Sequence, residues 1–305
     1  MTHPTEPQPT SLVKYAWLSI GAALATILLK TTAFLITGSV GLLSDALESV
    51  VNLLAALVAF FTLRIVEQPP DEEHEFGHDK AGYFSSGIEG TLIVVAAVGI
   101  VFTGGRRLLN PQPVEQIGLG LIIALIASAI NLVVGQIQIR VGKKRESITL
   151  EADGHHLMSD VWTSVGVVVG VAAAAITGLV WLDPLIAILV GLKIGWEGLR
   201  ILWRSASGLM DTAIAPEERT TIEVILARYH DEAGLEWHAL RTRQSGARRF
   251  VSVHILVPGD WSVQHSHGLA DQIESEIAAA IPNASVITHV EPHGDVTDDT
   301  LAAVR

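Results

Sequence analysis

The sequence predicts an all-helical membrane domain of six spans followed by a small α+β domain, on three observations. The 305 residues have a mean hydropathy of +0.42, and only 17% of them are charged, whereas a soluble domain carries roughly 25%. Six apolar runs are long enough to cross a bilayer, which takes about 20 residues each. After residue 208 the runs give way to shorter amphipathic segments, which is typical of a separate soluble domain.

The six runs define a predicted transmembrane domain over residues 12–208. Most lysines and arginines near the span ends fall on the side of the termini, so the positive-inside rule predicts that both termini are cytoplasmic. Lys30, near the outer end of the first run, is predicted to snorkel. Residues 1–11 are Pro- and Thr-rich, lack the basic segment of a signal peptide and are predicted to be a disordered tail. The predicted spans are 12–36, 39–66, 84–108, 115–140, 148–178 and 182–203.

The chain after the last span predicts a two-layer α+β domain over residues 209–293, with a tail at 294–305. Two segments with strand-like alternation, "LEWHALRTRQ" and "ARRFVSVHILV", flank a turn at Ser245–Gly246. Helical periodicity precedes and follows this hairpin, and a third strand ends the domain, which gives the order α-β-β-α-β. The two helices and the last strand are predicted at 216–233, 267–281 and 284–292.

Composition excludes several classes of function. The formal net charge is −12, which argues against a nucleic-acid partner. The chain has no cysteine, so disulfides and thiolate ligands are absent, and a soft metal such as Cu(I) is disfavoured. An intramembrane metallohydrolase is disfavoured because no H-E-x-x-H motif occurs. The sequence therefore does not predict an enzyme.

Polar side chains recur at helical spacing inside two of the apolar runs. An ionisable group at the centre of a membrane helix costs about 2.5–3.5 kcal/mol, so such residues are rare and usually functional. Positions i, i+3 and i+7 share a helix face, and two facing stripes would form a carboxylate and imidazole pocket suited to a divalent cation. The alternative is that these groups only hydrogen-bond the helices together. The stripes are Asp45, Glu48 and Asn52 in the second run, and Asp153, His156 and Asp160 in the fifth.

Histidines in the soluble domain predict a second metal site. If the hairpin turns about Gly246, His238 and His254 are equidistant from the turn and face each other across two strands. His289 and Glu291 are two residues apart on the last strand, so they share a face. A lone histidine on a strand is usually structural, but this convergence favours a binuclear metal site.

The motifs resemble those of the cation diffusion facilitator family over about residues 12 to 292. The resemblance rests on "GLLSDALESVVN" in the second run, "FGHDKA" after it, "HHLMSDVWTSVGV" in the fifth run and "LRTRQSGARRF" in the soluble domain. It implies a homodimer in the cell (inner) membrane, with a cytoplasmic, metallochaperone-like C-terminal domain that dimerises and senses metal.

The resemblance also implies individual site residues. His156 and Asp160 match a ligand pair on helix 5, whereas Glu48 and Asn52 stand where the family more often has His or Asp followed by Asp. Asp45 and Asp153 are then second-shell residues or alternative ligands. A peripheral loop site would use Asp71, His74 and His78, although a solvated acidic loop would have the same composition. His267 matches a further ligand of the soluble domain, and Lys80 and Asp211 match a charged structural pair.

The expected function is proton-coupled export of a divalent transition metal from the cytoplasm. Zn²⁺ is the expected substrate, with Fe²⁺, Co²⁺, Cd²⁺ or Mn²⁺ as alternatives, because one imidazole among oxygen ligands favours a transition metal over Mg²⁺. Metal ions would also bind the soluble domain as regulatory ligands. The alternative from another class is a membrane-tethered metal sensor that does not transport.

Overall fold

The computed structural model describes residues 13–110, 114–145 and 148–294. The predicted N-terminal tail, and all but the first residue of the predicted C-terminal tail, lie outside the described residues. The N-terminal part consists of six long helices that follow the six predicted apolar runs. They are α1 (Val13–Thr37), α2 (Val40–Val66), α3 (Ala81–Leu109), α4 (Ile117–Arg145), α5 (Ile148–Thr177) and α6 (Leu182–Leu209).

Five of these helices, α1 to α5, are long and apolar enough to cross a membrane. Helix α6 is as long, but Lys193, Glu197 and Arg200 interrupt its apolar character. The predicted fold class, a helical membrane domain followed by an α+β domain, is confirmed, whereas the sixth span remains a prediction.

The chain divides into two compact units. The first comprises residues up to 58 together with 88–201, and the second comprises 59–87 together with residues from 202 onwards. Within the first unit, α4 and α5 approach closely at two glycines, because a Cβ at Gly154 would lie 2.8 Å from the carbonyl oxygen of Gly135. The absence of side chains here lets the start of α5 pack directly on α4.

The start of helix α2 is fixed by a buried carboxylate from another helix. Asp183, in the first turn of α6, accepts hydrogen bonds from the hydroxyl of Ser39 (2.5 Å) and from the backbone N–H groups of Val40 (2.9 Å) and Gly41 (3.2 Å). These N–H groups have no partner within their own helix, and the N-terminus of a helix favours a negative charge. Asp183 therefore anchors the helix that carries the first polar stripe.

The second unit contains the α+β domain in the predicted order. Its sheet has the strand order β1-β2-β3, with β1 and β2 antiparallel and β2 and β3 parallel. Helices α7 and α8 supply Ile222, Leu226, Ile273 and Ile277 to a core against the sheet. The elements are α7 (Pro216–Ala233), β1 (Glu236–Ser245), β2 (Arg248–Val257), α8 (Val263–Ala280) and β3 (Ala284–Pro292).

Helix α8 begins four residues before the predicted start at residue 267. Its N-cap is Ser262, whose hydroxyl accepts a hydrogen bond from the backbone N–H of His265 at 3.2 Å. A serine in this position satisfies one of the free N–H groups of the first turn. His267 consequently lies within the first two turns of α8 rather than at its start.

The register of the hairpin places the predicted histidines opposite each other. His238 pairs with His254 across β1 and β2, and His254 pairs with His289 across β2 and β3. The register shifts between His238 and Arg241, where Ala239 has a positive φ of 51°. Near the turn, Ser245 pairs with Arg248, so the hairpin is centred between residues 246 and 247 and not on Gly246 as predicted. The irregularity compensates for this difference, and His238 and His254 therefore still lie opposite each other.

Candidate metal centres

The two polar stripes of the membrane domain face each other at their last residues. Asn52 on α2 donates from Nδ2 to both carboxylate oxygens of Asp160 on α5, at 3.3 and 3.4 Å. Asp160 is 8% exposed and Asn52 is partly buried. The structure therefore brings together one predicted ligand from each helix.

The other two predicted ligands of this site lie on the preceding turns of the same two helices. Glu48 is partly buried one turn before Asn52, and His156 is exposed one turn before Asp160. Among the described residues, Glu48, His156 and Asp160 do not form a group whose ligand atoms all lie within 4.8 Å of one another. The four side chains share facing helix surfaces, but their ligand atoms are not gathered around one point.

Asp45 and Asp153 each have partners other than the predicted ligands. Asp45 is 1% exposed and forms an ion pair with Lys30, Nζ to Oδ1 2.9 Å. The prediction that Lys30 snorkels is therefore wrong, because its side chain is directed to a buried carboxylate on α2. Asp153 accepts hydrogen bonds from Ser19 on α1 (2.9 Å) and Gln138 on α4 (2.5 Å).

The loop after α2 brings its three predicted ligands together. Asp71 lies 3.2 Å from Nδ1 of His74 and 3.4 Å from Nε2 of His78, and all three offer ligand atoms within 4.8 Å of one another. Backbone hydrogen bonding from His74 lowers the pKa of Asp71, so this carboxylate is ionised and ready to bind a cation. The loop metal site is therefore geometrically possible, and its occupation by a metal remains a prediction.

The sheet of the C-terminal domain gathers three histidines around one carboxylate. Glu291 contacts Nε2 of His238 at 2.8 Å, Nδ1 of His254 at 2.8 Å and Nε2 of His289 at 3.6 Å. The ring centroids of neighbouring histidines in this row are 5.0 and 4.9 Å apart. Hydrogen bonding from His238 lowers the pKa of Glu291. This arrangement of imidazoles and an ionised carboxylate suits Zn²⁺ and similar metals.

His267 lies outside this cluster within a single chain. Its Nε2 atom is 3.5 Å from Asp271, one turn further along α8, and its side chain is 71% exposed. His267 and Glu291 nevertheless line the same cavity, of about 560 Å³, between α8 and β3. Its role as a metal ligand remains a prediction.

The predicted charged pair is present as an ion pair. Lys80 Nζ lies 2.9 Å from Oδ1 of Asp211, and Arg243 Nη1 lies 3.2 Å from the same oxygen. Hydrogen bonding from Lys80 is the main reason that the pKa of Asp211 is lowered. Asp211 has a positive φ of 58°, a conformation that Asp and Asn adopt more readily than most residues.

Sequence reasoning did not find the contacts that hold the loop after α2 to the hairpin. The guanidinium of Arg243 lies 4.1 Å from the ring centre of Phe250 and 5.5 Å from that of Phe76. Arg248 forms an ion pair with Asp79 (3.1 Å) and donates to the backbone carbonyl of Phe76 (3.4 Å). Arg243 and Arg248 of "LRTRQSGARRF" were visible in the sequence, but the loop residues that they contact lie far away in the chain, 172 residues in the case of Arg248 and Phe76.

Membrane-length helices with facing polar stripes, joined to a domain with clustered histidines, define a transporter of metal cations. The chain belongs to the cation diffusion facilitator family. The family model for the cation efflux transmembrane domain matches residues 16–210, and the model for the cytoplasmic domain of cation efflux proteins matches residues 214–293.

Two relatives that match over most of their length agree with this assignment. An uncharacterised transporter of Synechocystis is 52% identical over 281 residues, which cover 92% of this chain and 90% of the relative. The cation-efflux pump FieF of Yersinia enterocolitica is 35% identical over 289 residues, covering 94% and 95%. A solved chain from work on the putative zinc transporter CzrB is 38% identical, with 27% of this chain and 99% of that chain covered and a TM-score of 0.26. The predicted family and the predicted export of metal cations are confirmed, and the protein is a multi-pass membrane transporter.

Proposed function

We propose that the protein is a proton-coupled antiporter that exports a divalent transition metal, with Zn²⁺ as its principal substrate. The observation that carries the proposal is the contact between Asn52 on α2 and Asp160 on α5. It joins the two stripes at a buried position, where an ionised carboxylate needs a cationic or hydrogen-bonding partner. Glu48 and His156 occupy the preceding turns of the same helices and complete a four-ligand set.

The chemistry of this ligand set supports a transition metal. Imidazole binds Zn²⁺, Fe²⁺ and Co²⁺ well, whereas Mg²⁺ prefers sites made entirely of oxygen atoms. Glu48 and Asp160 together carry the two negative charges that balance one divalent ion. Cd²⁺ and Mn²⁺ are further substrates that the same ligands accommodate.

Proton coupling follows from the requirement that ligands bind metal in their deprotonated form. Metal entry from the cytoplasm releases protons, and protons arriving from outside displace the metal. His156 is a suitable proton carrier because imidazole commonly acts as a proton shuttle in proteins. Glu48 and Asp160 are the other titratable ligands, since the amide of Asn52 does not ionise.

The metal clusters outside the helical bundle support a regulatory role. We assign cytoplasmic metal sensing to the row formed by His238, His254 and His289 with Glu291, and we place both termini in the cytoplasm of a protein of the inner membrane. The matched cytoplasmic-domain model supports this placement. The protein would act as a homodimer.

The rival function is a membrane-tethered metal sensor. A sensor needs the ligands of the C-terminal domain but has no use for a buried carboxylate on α5. The test is uptake of Zn²⁺ into proteoliposomes by wild type and Asp160→Ala, with Asp231→Ala on the exposed surface of α7 as the matched control. Uptake by wild type and the control, and none by Asp160→Ala, supports transport. Zn²⁺ binding without uptake by any of the three would favour the sensor.

A further inference from the structure

A fully buried ion pair lies beside the proposed transport site, and its lysine has no role in the proposed function. Lys30 on α1 is 2% exposed, and Asp45 on α2 is 1% exposed. Lys30 donates to Oδ1 of Asp45 (2.9 Å) and to the hydroxyl of Ser49 (3.0 Å), and Ser164 on α5 donates to the same Oδ1 at 2.7 Å. The pair therefore joins α1, α2 and α5.

Helix packing alone does not account for this pair. Burying two charges costs more desolvation energy than their attraction commonly returns, and apolar residues of similar size are often at least as stable. Charged groups inside a membrane domain are retained chiefly where they serve transport. Ser49 and Ser164 could join the helices by hydrogen bonds without either charge.

The position of the pair connects it to both halves of the transport site. Asp45 precedes Glu48 by three residues on α2, and Ser164 follows Asp160 by four residues on α5, so each lies one helical turn from a proposed ligand. Electrostatic interactions link both Glu48 and Asp160 to Lys30 and to Asp45. The pair therefore acts electrostatically on both carboxylates of the proposed site.

Lys30 changes the net charge that the site presents to a metal ion. Asp45, Glu48 and Asp160 would present three negative charges to a metal that carries two positive charges. Lys30 cancels the charge of Asp45 and leaves a net charge of minus two from the other two carboxylates. Lys30 is the cation that pairs with this carboxylate, through Oδ1 of Asp45. The second oxygen, Oδ2, is buried and has no hydrogen-bond partner among the residues that the structure describes.

We propose that Lys30 is a positioning residue that keeps Asp45 out of the ligand set and matches the charge of the site to one divalent cation. The proposal rests on the proposed transport function. With Lys30 present, the metal binds tightly enough to be selected and weakly enough to be released. Without it, Asp45 becomes an additional anionic partner for the metal, which then binds more tightly and leaves more slowly.

The test measures initial rates of Zn²⁺ uptake into proteoliposomes for wild type, Lys30→Gln, Asp45→Asn and the double variant. We expect Lys30→Gln to lower the half-saturating Zn²⁺ concentration by about tenfold or more, because one extra negative charge acts on a divalent ion, and to lower the maximal rate. Asp45→Asn leaves Lys30 uncompensated and should raise the half-saturating concentration about 10–100-fold. The double variant should return to within about threefold of wild type, since the pair is neutral again.

A purely structural ion pair gives a different pattern. In that case both single variants lose thermal stability without opposite shifts in half-saturation, and the double variant is no nearer to wild type than Asp45→Asn. Single variants without opposite shifts, or a double variant that is not restored, would overturn the proposal. Size-exclusion elution and thermal unfolding show whether Lys30→Gln folds. If it does not, the half-saturating Zn²⁺ concentrations of Asp45→Asn and of the uncharged double variant are compared, and this comparison tests the proposal. Absence of uptake by wild type would instead contradict the proposed function itself.

Discussion

Asn52 on α2 donates its amide to both carboxylate oxygens of Asp160 on α5, at 3.3 and 3.4 Å. An aspartate at position 52 would place two carboxylates at this distance and would need a cation or a proton between them. The amide instead supplies a neutral oxygen for a metal and a donor for Asp160 when metal is absent. Asn52 therefore gives the site one negative charge fewer than an aspartate would, and the two residues should differ in the metal that they favour.

Asn52→Asp should shift selectivity towards Zn²⁺. An amide oxygen is a weaker ligand than a carboxylate for zinc, whereas Fe²⁺, Co²⁺ and Mn²⁺ accept neutral oxygen ligands more readily. Wild type should therefore show appreciable competition by Fe²⁺ or Co²⁺, and the variant should show less. The added carboxylate titrates, so transport should also depend more steeply on pH. Competition assays in proteoliposomes across pH check both effects, and unchanged behaviour would mean that Asn52 is not a ligand.

His156→Ala should abolish transport while leaving a folded protein. It removes the only imidazole from the proposed four-ligand set, together with the proton carrier of the site. His155→Ala is the matched control, because it removes an exposed histidine from the adjacent position of α5 and should retain most of the wild-type rate. Uptake assays and thermal unfolding of both variants check this. Equal transport rates for the two variants would remove His156 from the site.

The histidine row of the C-terminal domain should bind metal and stabilise the protein. A ligand that binds only the folded state stabilises it, and the stabilisation grows with the logarithm of the ratio of ligand concentration to Kd once the ligand is in excess of Kd. Zn²⁺ should raise the Tm of the full chain, and His254→Ala combined with His289→Ala should remove most of this increase but keep basal transport. His265→Ala, on α8, is the control and should keep it. A Tm that does not respond to metal in wild type would contradict the regulatory role.

Asp211→Asn should destabilise the protein slightly near neutral pH and have no effect in acid. The pKa of Asp211 is lowered from its ordinary value of 3.8 by Lys80 and then Arg243. The ionised carboxylate therefore contributes stability above pH 3.8, and this contribution is lost as the pH falls through the lowered value. Asparagine tolerates the positive φ at this position, so the backbone is unaffected.

The size of the Asp211→Asn effect should be small, since the pair is partly exposed and screened by solvent and salt. Thermal unfolding from pH 7 down to pH 3 compares wild type with the variant. A stability difference that persists unchanged at pH 3 would mean that the charge of Asp211 is not the cause.

The sequence was most informative where a repeated spacing coincided with a chemical constraint. Polar and ionisable side chains at i, i+3 and i+7 within two apolar runs predicted that the stripes of α2 and α5 face each other, and Asn52 and Asp160 do meet. The opposite placement of His238 and His254 was also predicted correctly. The assumed turn centre was inexact, however, and the irregularity at Ala239 compensates for it. Alternation of side chains does not reveal such an irregularity, because it depends on local backbone conformation.

Tertiary partners explain the features that the sequence did not predict. Lys30 was expected to reach the membrane surface because hydropathy does not show which face of α1 is covered, but it is buried against Asp45. The arginines at 243 and 248 contact a loop far away in the chain, and no local pattern encodes such a contact. Whether the ligand atoms of Glu48, His156 and Asp160 all converge likewise depends on helix packing rather than on residue spacing, and among the described residues they do not form such a group.

The central claim is coupled exchange of Zn²⁺ for protons, and one measurement tests it most directly. Wild-type protein in proteoliposomes is supplied with external Zn²⁺, with the lumen either at the external pH or more acidic, while Zn²⁺ uptake and lumenal pH are recorded together. The account predicts faster uptake with an acidic lumen, lumenal alkalinisation that accompanies Zn²⁺ entry, and loss of the stimulation when a protonophore collapses the gradient. Uptake that is equally fast with and without the gradient, and that leaves the lumenal pH unchanged, would contradict it.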